Sequence, residues 1–487
     1  MTATFDISEF IDGRRVGFYQ VRILITCFVI MLLDGFDMQV IGVAVPALMQ
    51  DWQLKPKDFG LALTAGPVGM ILGAAILGPI ADRYGRRWPL IVAVTLFGLA
   101  TLLSAFVSTP DGLALTRLFS GLGLGGVLPN VVALSAEYVP ARARGTLSTL
   151  TYTGVPIGAL ASGLVGSWLI PSLGWRSVFF IGGLFPLAIA GYAATRVPVA
   201  ALASVLIGIW ITVTFGWHGW QSIFIVGFLV PLVAFGAYFV FTLPESIRFI
   251  AARTEKRHKA AAVIRKIAPE VQLSDSVQFT IHEARQAKVG VASIFGPGRT
   301  LPTVLITLIF VCNTFGVYFF MSWLPVFMKQ SGLSMTWSLL STVLLNGGGA
   351  VGTVTMGVLI DRYGIFKVVT TSYLIGAIAI ASIGIGAEPA VLVPALFLTG
   401  TCMMGAQTTM YAVAAMVYPT AIRATGVGST MGWGRIGSVI GPLIGAAFFT
   451  LQWSIAAAFI AASLPIFAGA LFIYLVGRVP KRFETTA

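Results

Sequence analysis

Fourteen stretches of the chain, each roughly the 20 apolar residues a helix needs to cross a bilayer, run almost without charge. Their approximate bounds are 22–46, 59–81, 88–108, 112–136, 146–170, 175–197, 199–217, 220–243, 300–328, 337–360, 367–388, 390–414, 425–450 and 453–477. The runs are continuous rather than alternating, which excludes a β-barrel. Composition agrees: 10% of residues are charged and 57% hydrophobic, whereas a soluble domain carries roughly 25% charge. An all-α polytopic membrane protein is therefore expected.

Lysine and arginine set the expected orientation. Arg14 and Arg15, Arg83, Arg86 and Arg87, Arg142 and Arg144, Arg196, the loop 244–299, Arg362 and Lys367, Arg423, and Arg478, Lys481 and Arg482 fall on one side. The other side has Lys55, Lys57, Arg176 and Lys329. Both termini are then cytoplasmic and the number of spans is even. The expected location is the plasma membrane, a bacterial inner membrane. The net charge of +13 lies in these short loops, so the lipid bilayer and not nucleic acid is the expected partner. The N-terminus is polar through Arg22 and no cleavable leader is expected. Cys27, Cys312 and Cys402 lie inside apolar runs without metal or disulfide spacing.

Two repeats organise the chain. Gly78-Pro-Ile-Ala-Asp82-Arg83-Tyr84-Gly85 matches Gly357-Val-Leu-Ile-Asp361-Arg362-Tyr363-Gly364 at a shift of 357 − 78 = 279. The same shift pairs Pro140 with Pro419, Arg144 with Arg423, Thr146 with Thr425, Gly158 with Gly437 and Gly166 with Gly445. Two copies of one bundle, with a ligand site at their interface near mid-membrane, are the expected architecture. A second repeat, at a shift of 45, relates Gly174-Trp175-Arg-Ser177-Val-Phe179 to Gly219-Trp220-Gln-Ser222-Ile-Phe224 and implies a duplicated helix hairpin. The expected units are a six-helix bundle over 1–198, the extra hairpin over 199–243, a linker over 244–299 and a second six-helix bundle over 300–487. Within the linker, Arg248 to Ile267 reads either as an amphipathic helix on the inner membrane face or as a plain connection.

Asp34 and Asp37 lie within the first span, three residues apart and so on neighbouring parts of one helix face. Two nearby carboxylates in a low dielectric suit a proton carrier. Arg117-x-x-x-Gly121-x-x-x-Gly125 puts a costly arginine inside the fourth span, on a face of small residues that allows close packing. Arg435, about ten residues into its span, is a natural counter-charge for an anionic substrate. Arg117 snorkelling outward, and Arg435 as a structural partner of the aspartates, remain open alternatives. Trp433, Tyr411, Gln407, Trp323, Asn313, Asn346 and Asn130 are candidates to line a polar, aromatic cavity.

The sequence Gly78-x-x-x-Asp82-Arg83-x-Gly85-Arg86-Arg87 resembles the signature loop of the major facilitator superfamily, and its second copy stands at Asp361. Asp34-Gly-Phe-Asp37, Arg117-Leu-Phe-Ser-Gly-Leu-Gly-Leu-Gly125, Leu243-Pro-Glu245-Ser246-x-Arg248 and Gly174-Trp-Arg-Ser-Val-Phe179 look like the aromatic acid:proton symporters. The resemblance implies alternating-access uptake of benzoate, 4-hydroxybenzoate or protocatechuate with protons, by a monomer without cofactor beyond the proton gradient. It implies proton coupling by Asp34, Asp37 and Arg117. It implies gating by the Asp82 and Asp361 loops with Arg83, Arg86, Arg87, Glu137, Arg144, Arg362 and Arg423, and substrate pairing by Arg435. Two departures stand out: the extra hairpin, and Ile365-Phe366-Lys367 where the second loop would carry two arginines. Efflux, sugar uptake or transport of another organic anion are the alternatives. A membrane enzyme is not expected, since no catalytic constellation, metal spacing or phosphate loop is present.

Overall fold

The computed structural model describes residues 4–195 and 244–478, save 252, 254–256, 269, 272–277, 281–290, 297, 386–387 and 420–421. The first half has β1 (Thr4–Asp6), α1 (Ile7–Asp12), α2 (Phe18–Trp52), α3 (Gly60–Tyr84), α4 (Arg87–Ser104), α5 (Pro110–Glu137), α6 (Ala141–Tyr152), α7 (Gly154–Leu173) and α8 (Arg176–Thr195). The linker holds α9 (Ile247–Ala251), α10 (Arg257–Ile267) and β2 (Gln278–Thr280). The second half has α11 (Thr300–Gln330), α12 (Met335–Tyr363), α13 (Ile365–Ile383), α14 (Pro389–Val417), α15 (Arg423–Gly434), α16 (Ile436–Thr450) and α17 (Ile455–Arg478). Ten helices, counting α6 with α7 as one, are long and apolar enough to cross a membrane. With α8 and the α15–α16 pair, the described residues carry six spans in each half. The hairpin expected over 199–243, and with it the count of about fourteen, lies outside the described residues.

The shift of 279 is a packing register. Within the halves, α3 packs on α5 and α12 on α14, α2 on α7 and α11 on α16, α4 on α8 and α13 on α17. The glycines of the repeat mark where these helices cross. A Cβ added at Gly121 would stand 2.0 Å from the Gly66 carbonyl oxygen, and one at the related Gly400 would stand 1.7 Å from that of Leu345. Gly158 against Leu32 and Gly437 against Val311 repeat the pattern, at 1.9 and 2.1 Å. A backbone carbonyl cannot yield as a side chain can. Gly121→Ala is therefore expected to force α3 and α5 apart and cost about 1–3 kcal/mol or more, read as a lower melting temperature of the purified protein.

Two spans expected to be single helices are broken. The 146–170 run splits at Thr153, because Pro156 has no N–H and its ring crowds the carbonyl of Tyr152 four residues back. The 425–450 run splits at Arg435 amid Gly428, Gly432, Gly434 and Gly437. There the Gly434 carbonyl accepts from Thr314 Oγ1 (2.5 Å) and that of Arg435 from Ser438 Oγ (2.6 Å). Side chains thus satisfy the groups freed by the break.

The halves meet through α2 with α11, α7 with α12, and α3 with α16. These contacts lie toward the face opposite the termini. Near that face the α3 start approaches the α16 end, with Gly60 beside Ala446. Deeper in, Gln39 Nε2 donates to the Met321 carbonyl (3.1 Å) and Asn346 Nδ2 to Gln39 Oε1 (3.4 Å), tying α2, α11 and α12 together. On the termini face the ion pairs of the signature loop stay within the first half. The molecule is thus sealed on the far face.

The linker does not simply lie on a membrane surface. Ile247, Ala251, Val263 and Ile264 are buried in one cluster with Ile7 and Ile11 of α1 and with Ile23, Leu134 and Tyr138. The apolar stripe of α10 therefore covers the termini-side ends of α2 and α5. β1 pairs in parallel with β2, and Arg14 Nη1 reaches Glu270 Oε1 at 2.5 Å, so the first residues strap the linker to the first half.

Candidate functional site

A cavity with about 960 Å³ of unoccupied space, mouth included, lies between the halves. Its position between the two halves is that of a small-molecule site. Asp34 enters it from the first half, and Arg435 from the second, at the helix break. Arg435 Nη1 also reaches the Met70 carbonyl of α3 (3.4 Å). Asp34 is 3% exposed, and its Oδ1 has no hydrogen-bond partner. The field of Arg435 acts on it across the cavity. Tyr152, Tyr318, Tyr411 and Phe310 supply aromatic walls, with methionines between them. Among the described residues, the hydroxyl of Tyr318 finds the soft Met70 sulfur at 3.4 Å.

The repeat also organises this wall. Leu128 and Gln407, Pro156 and Arg435, Ala159 and Ser438 are pairs separated by 279, and all six line the cavity. At each pair the first half contributes an apolar residue and the second a polar one. Apart from Asp34 and Tyr152, the hydrogen-bonding side chains of the lining come from the second half.

Asp37 does not join Asp34. A step of three residues turns a helix by about 300°, enough to point it into the first bundle instead. Its carboxylate accepts from Ser120 Oγ (2.5 Å) and from Thr101 Oγ1, and lies 3.3 Å from Arg117 Nη1. Arg117 Nη2 donates to Thr101 Oγ1 (2.9 Å) and Ser104 Oγ (3.0 Å), and its guanidinium stands over the Phe179 ring. At 3% exposed, Arg117 is an ion-paired interior residue, which rules out snorkelling. In the second half the related positions are Gly316, Ile380, Leu396 and Thr399, so this charged network has no counterpart there.

Of the residues proposed for the cavity, Arg435, Tyr411, Gln407 and Asn346 reach it. The others are corrected. Trp433 stacks on Phe295 at 5.7 Å, near the termini face. Trp323 is fully buried in the second bundle and donates to the Pro442 carbonyl (2.9 Å). Asn130 Nδ2 is spent on the Gly126 carbonyl (2.7 Å), and Asn313 Nδ2 on that of Met403 (3.2 Å). Polarity within an apolar run marked these residues, but not which way they face. Tyr152, Tyr318, Thr314 and Ser438 were missed; for Tyr152 and Ser438 the signal was their repeat relation to Met431 and to Ala159 across the same wall.

The signature-loop residues gather at the termini face. Gly78 closes on no neighbour, and Gly85 takes a φ of +101° that favours glycine, as does Gly364 at +85°. Arg86 pairs with Glu137 (3.0 Å) and more distantly with the exposed Asp82 (3.6 Å). Glu245 Oε1 accepts from the backbone N–H groups of Arg86 (2.6 Å) and Arg87 (3.2 Å) at the start of α4, where a carboxylate also suits the helix dipole. Ser246 Oγ donates to Glu137 Oε2 (2.5 Å), and Arg253 donates to the Arg83 carbonyl (2.9 Å). Glu245→Gln keeps the shape and removes the charge that accepts from three backbone N–H groups, those of Arg86, Arg87 and Ser246. It is expected to cost about 1–3 kcal/mol, visible as faster proteolysis of the linker. In the second half, Asp361 and Arg362 of the loop and Arg423 at the start of α15 are exposed, and Ile365 stands where Arg86 would be. Arg144 is half-buried.

Comparison with known proteins agrees with this geometry. The model of the Major Facilitator Superfamily matches residues 27–200, 186–442 and 339–486. The gallate transporter of Pseudomonas putida is 36% identical over 482 residues, covering 99% of this chain and 97% of that one. The 4-hydroxybenzoate transporter PcaK of Pseudomonas aeruginosa is 33% identical over 476 residues, covering 97% and 96%. Among solved structures, a partially occluded, inward open form of the xylose transporter XylE from E. coli has a TM-score of 0.68 at 18% identity, covering 97% of this chain and all of that one.

Proposed function

The chain belongs to the major facilitator superfamily of membrane transporters, and we propose that it imports a small aromatic carboxylate, such as gallate or 4-hydroxybenzoate, together with a proton. The observation that carries the reading is that Asp34 of the first half and Arg435 of the second line one aromatic-walled cavity between the halves. In the low dielectric of the cavity, Arg435 binds the carboxylate through charge-assisted hydrogen bonds. Tyr152, Tyr318 and Tyr411 bracket the ring. Gln407, Ser438 and the tyrosine hydroxyls accept or donate to ring hydroxyls.

Asp34 and the incoming carboxylate compete for Arg435. A proton on Asp34 ends the competition, so a protonated Asp34 and a bound anion favour each other. That is a coupling between two ligands, and it is reciprocal. One anion moving with one proton is electroneutral, so a pH gradient suffices to drive it. The Asp37–Arg117 network, buried beside Asp34 on α2, passes the protonation state to α4 and α5. With the termini in the cytoplasm, the form described here is sealed outside and open inside. The Asp82 and Asp361 loops then close the cytoplasmic side in the opposite state.

A sugar fits this wall poorly. Its many hydroxyls need partners on every side, and the first half supplies mainly methionine, leucine, proline and alanine. The test is uptake of labelled gallate and 4-hydroxybenzoate by cells or proteoliposomes, with and without an inward proton gradient. Accumulation that requires the gradient, and that Asp34→Asn reduces to facilitated equilibration, supports the symport reading. Accumulation indifferent to the gradient, from protein shown to be in the membrane, would remove it.

A further inference from the structure

The face opposite the termini is poor in basic residues; its loops hold Lys55, Lys57, Lys329 and Arg176. Arg176 is committed to Asp51 (3.8 Å) and to the Trp175 ring. Lys55 and Lys329 are placed differently. With Gln50, Gln53 and Gln330 they line a groove where the ends of α2 and α11 meet, with about 740 Å³ of unoccupied space including its mouth. Pro46, Met49 and Val326 give it an apolar floor. Gln50 and Lys329 are related by the shift of 279, so the groove sits on the axis relating the halves.

Among the described residues, neither ammonium has a carboxylate in ion-pair range. Of the nearby acids, Asp58 accepts from the Lys55 backbone N–H (2.9 Å), and Asp51 accepts from Trp175 Nε1 (2.9 Å) and pairs with Arg176. Lys55 belongs to the first half and Lys329 to the second. The sealed state thus brings one lysine from each half to the same groove, Lys55 exposed and Lys329 half-buried, beside an apolar floor.

We propose that this groove binds a small carboxylate anion between Lys55 and Lys329, and that the bound anion holds the far face sealed. The anion gains an attraction to a lysine of each half. When the halves part, the lysines separate and the site no longer exists, so a ligand there shifts the population toward the sealed form. Combined with the import proposed above, external substrate at high concentration slows its own uptake. That last consequence rests on the proposed function; the anion site does not.

The test is amine footprinting of the purified protein in lipid nanodiscs, with benzoate as the probe. Acylation of Lys55 and Lys329 is expected to slow about five-fold at roughly four times the benzoate dissociation constant, while Lys57 reacts at its usual rate. The protection should persist in Arg435→Ala, which removes the anion partner of the central cavity. It should be lost at Lys329 in Lys55→Gln, since the site is shared. Equal protection of Lys57, no protection at all, loss of protection in Arg435→Ala, or its survival at Lys329 in Lys55→Gln would each overturn the proposal. In uptake, the decline at high external substrate should vanish in Lys55→Gln with low-concentration uptake unchanged. Protection without uptake of any aromatic acid would leave the anion site standing and remove the proposed function instead.

Discussion

Arg435→Ala is expected to lower the uptake efficiency for aromatic carboxylates by about 100-fold or more. Removing one member of a desolvated charge pair typically costs 2–5 kcal/mol, and ~2.8 kcal/mol is already a factor of 100. The loss has two sources here: the substrate carboxylate loses the only cationic partner that the described residues bring to the cavity, and Asp34 keeps its place there without a counter-charge. Arg435→Lys should restore part of the rate, because the charge returns but the planar fork does not. The helix break sharpens the expectation. Arg435 terminates α15 and precedes α16, so its side chain leaves the bundle where the backbone is already turning into the cavity. Uptake kinetics on protein of matched abundance provide the check. A loss below about five-fold, less than one kcal/mol or so, would mean that the carboxylate is held elsewhere.

Arg117→Ala is expected to produce the largest loss of stability of any single change within the bundles, about 3–5 kcal/mol. The arginine and Asp37 are 3% and 1% exposed and share Thr101 as a hydrogen-bond partner, while Ser104 accepts from Arg117 and Ser120 donates to Asp37. Truncating the arginine leaves Asp37 charged in the interior. The double change Arg117→Leu with Asp37→Gly is expected to recover much of the loss, because the second half builds the same position from Leu396 and Gly316. Thermal unfolding of the purified variants decides this. If Arg117→Ala lowers stability by less than about 1 kcal/mol, the pair is not desolvated as the structure has it. The double variant also separates roles: a stable protein that has lost gradient-driven accumulation would assign the network to proton coupling.

Much of the architecture was legible in the sequence because it follows from one-dimensional constraints. Apolar length sets the spans. The 279-residue register sets the halves, and it survives down to individual glycine contacts such as Gly121 on Gly66 and Gly400 on Leu345. The charges were legible too. An arginine or aspartate in an apolar run is costly enough to need a reason, and Asp34, Arg117 and Arg435 each have one in the structure.

What the sequence could not decide was direction. Asp34 and Asp37 looked like one pair. The helix turn sends one into the cavity and the other into the bundle, because α7 and α11 lie on one side of α2, and α4 and α5 lie on another. Asn130, Asn313, Trp323 and Trp433 had suitable chemistry but were already satisfied by local carbonyls or neighbouring rings. Nor does any run of residues announce that Lys55 and Lys329 meet in one groove. The sequence by itself determined that the chain is a doubled helical bundle built for a bilayer, with a few interior charges. Only the tertiary structure decided which charges face the central space and which face is sealed, because both depend on how helices distant in the chain rotate against one another.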